Sequence, residues 1–299
     1  MGDIDIGRIG VWTGILDSVP SSRGAEFAAE AEELGYGAIW YPEAVGRDAF
    51  VRAALLLAGT SSIKVATGIA NIYARDPMTT ANAQRTLEEA FPGRFLLGLG
   101  VSHAHLVQDI RQHDYSRPYS YMREYLARMG EAVFFAHGPT DLPEMVLAAL
   151  GPRMLQLSAE ATAGAHPYFV PPEHTATARE VMGPDAALYP EQMAVLDTDA
   201  GAARALARKN MAMYLRMPNY INNLRRLGFE QSDIDGGPAG GPSDRLVDAI
   251  VVWGTPEQIA TRVREHLDAG ADHVGVQVLA DDPDVTVDGW RILAPHLLP

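Results

Sequence analysis

VATGIANIYARDPMTTANAQRTLEEAFPGRFLLGLGVSH, residues 65–103 of a 299-residue chain, carries the alternation that decides the fold. A β-branched apolar run at 63–69 reads as a strand. Pro77 then opens a helical stretch to 91, because proline fits the first turn of a helix, where its missing N–H has no partner to lose. A second apolar run follows at 94–100. Both runs are short and nearly wholly apolar, as parallel strands covered by helices on both faces must be. The unit is strand, helix, parallel strand.

The same rhythm extends in both directions. Toward the N-terminus, 6–12 reads as a strand, Ser21 or Ser22 caps a helix that Gly35 closes, 38–41 is a second strand, and Asp48 opens a helix through 58. Toward the C-terminus a helix at 119–135 precedes strands at 145–150, 168–170 and 193–196. Helices fill the gaps at 152–163, 175–182 and 200–227, the last broken at Pro218. Thr255–Pro256–Glu257 caps a helix through 269, strand 273–279 follows, and a helix around 290–297 ends the chain. Eight apolar strands, each followed by a helix, predict an α/β fold, a single closed (β/α)8 TIM barrel over 1–299. Residues 230–243, rich in Gly and Pro, are expected to form a flexible insertion loop before the last strand and to act as a lid.

Composition removes whole classes of chemistry. The chain has no cysteine, so thiolate nucleophiles, thiolate zinc sites and iron–sulfur clusters are excluded, and redox chemistry must come from a cofactor. A net charge of −14 opposes binding to nucleic acid. Only Lys64 and Lys209 are lysines, one on the far rim of the barrel and one inside a helix, which leaves Schiff-base chemistry without its usual residue. No apolar stretch approaches the roughly 20 residues of a membrane span, and the N-terminus lacks a basic start followed by an apolar core. A cytoplasmic enzyme acting on a small molecule is expected, with no membrane partner.

In such barrels the chemistry sits at the C-terminal ends of the strands. There the sequence places Glu43 after the second strand, as a proton acceptor or a cofactor ligand. Gly68 within the third strand suggests a bulge or a close backbone approach. Gly98 and Gly100 leave room for a flat ligand, and His103 and His105 stand ready to exchange protons. His103, His105 and His166 together raise a metal-dependent hydrolase as an alternative. Gly151–Pro152–Arg153 runs from strand into helix, where free N–H groups and the helix dipole hold phosphate.

Taken in order, GRIGVWTG, AAEAEELGYGAIWYPE, the 65–103 segment, YSRPYSYMREYLARM and WGTPEQIATRVREHLDAGADHVGVQVL resemble the luciferase-like monooxygenase superfamily, in particular its actinobacterial F420-dependent branch, over nearly the whole chain. The resemblance implies a non-prolyl cis peptide joining Gly68 to Ile69 beneath the central ring of the cofactor. It places Trp12, Ala70 and Gly100 around that ring, Glu43 and Asn71 at its polar edge, and the phosphate at Gly151, Pro152 and Arg153. The sugar-phosphate dehydrogenases of this branch carry Asp-His after strand two and Gly-x-Gly-Glu after strand four; here Glu43–Ala44 and Gly100–Val101 stand instead. Their reaction is therefore not expected: either His103 or His105 substitutes, or proton transfer is unneeded, as in reduction of an activated double bond. The implied activity is hydride transfer between coenzyme F420 and a small substrate, with FMN-dependent monooxygenation as the alternative. A homodimer formed through helices beside strands two and three is also implied.

Overall fold

The computed structural model describes residues 4–298. Its strands are β1 (Ile9–Trp12), β2 (Ala38–Tyr41), β3 (Lys64–Thr67), β4 (Ala70–Asn71), β5 (Phe95–Gly100), β6 (Met145–Leu147), β7 (Gly164–Ala165), β8 (Ala187–Leu188), β9 (Glu191–Val195), β10 (Val251–Trp253) and β11 (Val274–Val278). All pair in parallel, in the order β10-β9-β11-β1-β2-β3-β5-β6-β7-β8, with β4 beside β5. β8 and β9 are two halves of one passage. Its first half donates from Tyr189 N–H to Ala165 O (2.9 Å), and its second half accepts at Pro190 O from Gly275 N–H (3.0 Å). The ring therefore closes through residues 187–195, giving the TIM barrel that the alternation predicts.

Helices cover the outside, and their starts follow from the sequence. Asp48 accepts from the N–H groups of Phe50 and Val51 at the start of Ala49–Ala58. Asp76 does the same for Thr79 ahead of Pro77–Ala90, and Thr255 and Gln258 form a reciprocal cap on Pro256–Asp268. Inside the ring, Trp12, Trp40, Ala66, Leu96 and Val146 fill the centre. Two indoles there donate to two imidazoles: Trp40 to His273 Nε2 at 3.0 Å and Trp12 to His166 Nε2 at 3.2 Å. Each imidazole donates from Nδ1 to a backbone carbonyl, His273 to Gly7 and His166 to Tyr189. This layer is buried, and its indole and imidazole nitrogens are all bonded.

Three sequence expectations need correction. The sixth strand is Gly164–Ala165, not 168–170; two small residues make no apolar run, and Phe169 turns at φ +62° out of the extended region. Val251–Trp253 is a strand that the sequence reading missed, because it follows the helix Asp244–Ile250 with no turn between them. The segment expected as a loop at 230–243 contains helical turns. They include the helix Gln231–Asp235, reciprocally capped by Glu230 and Asp233, and Asp233 also accepts from Ser243 Oγ (2.9 Å) and pairs with Arg245. Among the described residues no helix is long and apolar enough to cross a membrane.

Candidate active site

β3 ends at Thr67, and the following Gly68–Ile69 peptide is cis, as the resemblance implies. The chain then rejoins β5 through β4, with Asn71 opposite Gly100. Thr67 Oγ1 pins the crossing by donating to Gly98 O and accepting from Gly98 N–H, both at 2.8 Å. Gly68 N–H donates to Tyr41 O (2.7 Å), and Ile69 O accepts from Glu43 N–H (3.1 Å). A side chain at Gly68 would lie 2.6 Å from Trp12 Nε1 and 2.9 Å from His166 Nε2. Only glycine lets the bulge rest on that indole–imidazole pair, and Trp12 acts as its support from below.

The two glycines of β5 serve a different end from the one expected. A Cβ on Gly98 would lie 2.0 Å from Thr67 O, and one on Gly100 would lie 2.4 Å from the side chain of Ile69. The space they leave is taken by the bulge itself. Their smallness seats β3 and β4 against β5.

Glu43 is also not the free rim carboxylate that its position suggested. It is buried, and its oxygens accept from Asn71 N–H (2.8 Å), Ala49 N–H (3.3 Å) and both terminal nitrogens of Arg75. Arg75 bonds to Asp48 as well and lies over the Phe50 ring. With every lone-pair direction in use, Glu43 joins β2, the bulge and Arg75 into one rigid block. Asn71 Oδ1 accepts from Tyr73 N–H (2.9 Å), while its buried Nδ2 has no partner in the protein. A buried donor left unbonded costs free energy, so this amide is suited to an acceptor on a bound ligand.

The histidines separate. His103 is half-buried, its Nδ1 faces Asn219 Oδ1 at 3.2 Å, and its ring packs on Tyr220 at 5.5 Å. An amide oxygen only accepts, so His103 carries its proton on Nδ1 and offers Nε2 as an acceptor. Burial lowers its pKa, and the Asn219 bond offsets this in part. His105 is exposed and paired with Asp109 four residues on. The acceptor nitrogen of His166 is taken by Trp12. The three histidines do not converge, and among the described residues no cluster of side chains is placed to hold a metal ion. The histidines that raised the hydrolase alternative are not brought together.

At the end of β6, Gly151 caps the helix Pro152–Ala161 with no side chain bonded to it. Arg153 stacks on Tyr119 at 4.2 Å. Arg226, from the helix Pro218–Arg226, reaches the other side, with Nη1 3.4 Å from where a Gly151 Cβ would sit. Neither guanidinium has a carboxylate partner among the described residues, although the chain holds 38 Asp and Glu. Sequence reading missed Arg226, since nothing local signals that this helix end folds back on residue 151.

The family model for luciferase-like monooxygenases matches residues 9–273. The chain belongs to this family. Among its relatives is a 5,10-methylenetetrahydromethanopterin reductase of Methanolobus tindarius, 27% identical over 90% of this chain and 92% of the relative. Solved structures of similar fold include the coenzyme F420-dependent tetrahydromethanopterin reductase of Methanopyrus kandleri (TM-score 0.77, 18% identity, 98% of this chain and 100% of that one). They also include the oxygenating constituent of 3,6-diketocamphane monooxygenase from Pseudomonas putida with FMN (TM-score 0.70, 15% identity, 97% and 98%). Within this luciferase-like family the protein is an enzyme of the oxidoreductase and monooxygenase kind.

Proposed function

We propose that the protein is an oxidoreductase that binds coenzyme F420 at the barrel mouth and transfers hydride between it and a small organic substrate. The observation that carries this is the pairing of the Gly68–Ile69 floor with an anion site built from the bare helix start at Gly151 and two arginines that pair with no carboxylate among the described residues. The residues fit such a group. Gly151, Pro152 and Arg153 with Arg226 would hold its phosphate, and Asn71 Nδ2 would bond a ring acceptor. Gly68, Ile69 and Ala70 would back the ring. The cofactor supplies the hydride chemistry when bound. The protein positions the reactants, excludes water and moves protons, with Nε2 of His103 as a candidate acceptor.

Titrating the purified protein with F420 and with FMN, followed by absorbance and fluorescence, tests the reading. Saturable F420 binding is expected. Arg153→Ala and Arg226→Ala should each weaken it about tenfold, the worth of one charge-assisted hydrogen bond. No saturable F420 binding would remove the proposal, and binding of FMN alone would favour the monooxygenase reading, which the FMN-bound neighbour of similar fold supports.

The homodimer is proposed on the same footing. Val51 and Leu55 lie one turn apart on Ala49–Ala58 and are exposed, as are Val45 and Met78 nearby, all beside strands β2 and β3. Such an apolar group on a chain this acidic fits an interface. Val51→Asp with Leu55→Asp should halve the mass seen by sedimentation; an unchanged mass would place any interface elsewhere.

A further inference from the structure

Between the chain leaving β4 and the outer helix Pro118–Gly130 lies a cavity of about 250 Å³ that the proposed function leaves unused. Tyr73, His113, Asp114, Arg117, Tyr121 and Glu124 line it, and no side chain among them belongs to the proposed cofactor site. The helix supplies one wall through its period. Arg117 at its N-cap, Tyr121 and Glu124 stand at i, i+4 and i+7, so a cation, a ring and a carboxylate share one face over about 10 Å. Neither Arg117 nor Glu124 forms an ion pair or a side-chain hydrogen bond among the described residues.

Tyr73 stands against this face, its ring 4.7 Å from that of Tyr121 and 5.6 Å from that of Tyr115. It is only 9% exposed. Its backbone N–H donates to Asn71 Oδ1 (2.9 Å), whereas its hydroxyl has no partner among the described residues. A side chain this buried has little water to bond, and an unbonded hydroxyl costs free energy, so the cavity it lines is where a partner would sit. Burial, then Tyr121 and Asp114, push the phenol up to about 12, so at neutral pH it keeps its proton and donates.

The charges decide the class of ligand. Asp114 is held as an ion by the N–H (2.9 Å) and Oγ (2.8 Å) of Ser116, which lower its carboxyl. A simple anion would therefore meet two carboxylates, and a simple cation would meet the unpaired guanidinium of Arg117. A molecule that carries both signs avoids both costs. The tyrosine rings add an apolar wall with a π face, and a volume below the roughly 300 Å³ of drug-sized pockets suits a molecule of amino-acid size.

We propose that this cavity binds a small zwitterion with a ring, an aromatic α-amino acid, at a site separate from that of the cofactor. Arg117 and the Tyr73 hydroxyl hold its carboxylate, Glu124 its ammonium and Tyr121 its ring. The site stands independently of the F420 reading.

Ligand-observed NMR titrations of the full chain test this with four probes: L-phenylalanine, 3-phenylpropionate without the ammonium, phenethylamine without the carboxylate, and L-alanine without the ring. L-phenylalanine should bind saturably and each of the others about tenfold more weakly. Arg117→Gln should weaken L-phenylalanine about tenfold and leave phenethylamine unchanged. Glu124→Gln should weaken it similarly and leave 3-phenylpropionate unchanged. Both residues are exposed, so both variants should melt as wild type does and bind F420 with unaltered affinity. No saturable binding of L-phenylalanine to wild type, equal binding of the four probes, or unchanged L-phenylalanine affinity in either variant would overturn the proposal. Displacement of F420 by saturating L-phenylalanine would overturn it too, by showing that the cavity is part of the cofactor site.

Discussion

Glu43→Ala should lower folding stability by about 3 to 5 kcal/mol, the range seen when one partner of a buried ion pair is removed. Arg75 would remain over the Phe50 ring with only Asp48 to face its charge, and the N–H groups of Asn71 and Ala49 would lose their acceptor. Denaturant unfolding reads this as a lower midpoint at unchanged slope. Because the same carboxylate ties β2 to the bulge, F420 affinity should fall with it. A catalytic Glu43 would behave otherwise, with normal stability and a lost rate. A variant as stable as wild type would show that the Glu43–Arg75 block does not hold the floor.

What the sequence made legible and what it hid follow one physical division. The apolar runs around 65–100 and the Pro77 start are local signals, and they were enough for strand, helix and barrel. The cis bond at Gly68 came from family resemblance carried by residue order, not from any propensity of Gly or Ile. The bonds of Glu43 were hidden because its partner, Arg75, sits 32 residues away, and only the closing of the barrel brings them together. Gly98 and Gly100 announced missing volume correctly but could not say what fills it. Tyr168 looked like part of an apolar strand, whereas its hydroxyl is bonded to residues 46 and 109 positions distant. Local rules fix elements; sites are made by contacts that those rules do not contain.

The buried titrating groups set a stability profile with a maximum near pH 6.5. Burial pushes His166 and His273 down to about 4 and His266 down to about 3, against an ordinary value of 6.5. His266 is locked in its neutral form between Thr175 and Gln192. A depressed histidine contributes its stability in full above pH 6.5 and loses it as pH falls toward the folded value, because the unfolded chain takes up the proton first. Glu191 has the opposite sign. Burial raises its carboxyl to about 8, with only the Phe169 N–H to offset it, so its contribution is full below 4.5 and is lost as pH rises toward 8. Between 4.5 and 6.5 these three histidines, joined by His174 and His103, which burial also lowers, act against one carboxyl, so stability should fall by at least roughly 3 kcal/mol per pH unit of acidification. Between 6.5 and 8 Glu191 acts alone, and stability should fall by about 1.4 kcal/mol per unit of alkalinisation. Melting temperatures at fixed ionic strength give both limbs. Glu191→Gln should flatten the alkaline limb and leave the acid one steeper; an alkaline limb that persists in that variant would show that Glu191 is already ionised in the folded protein.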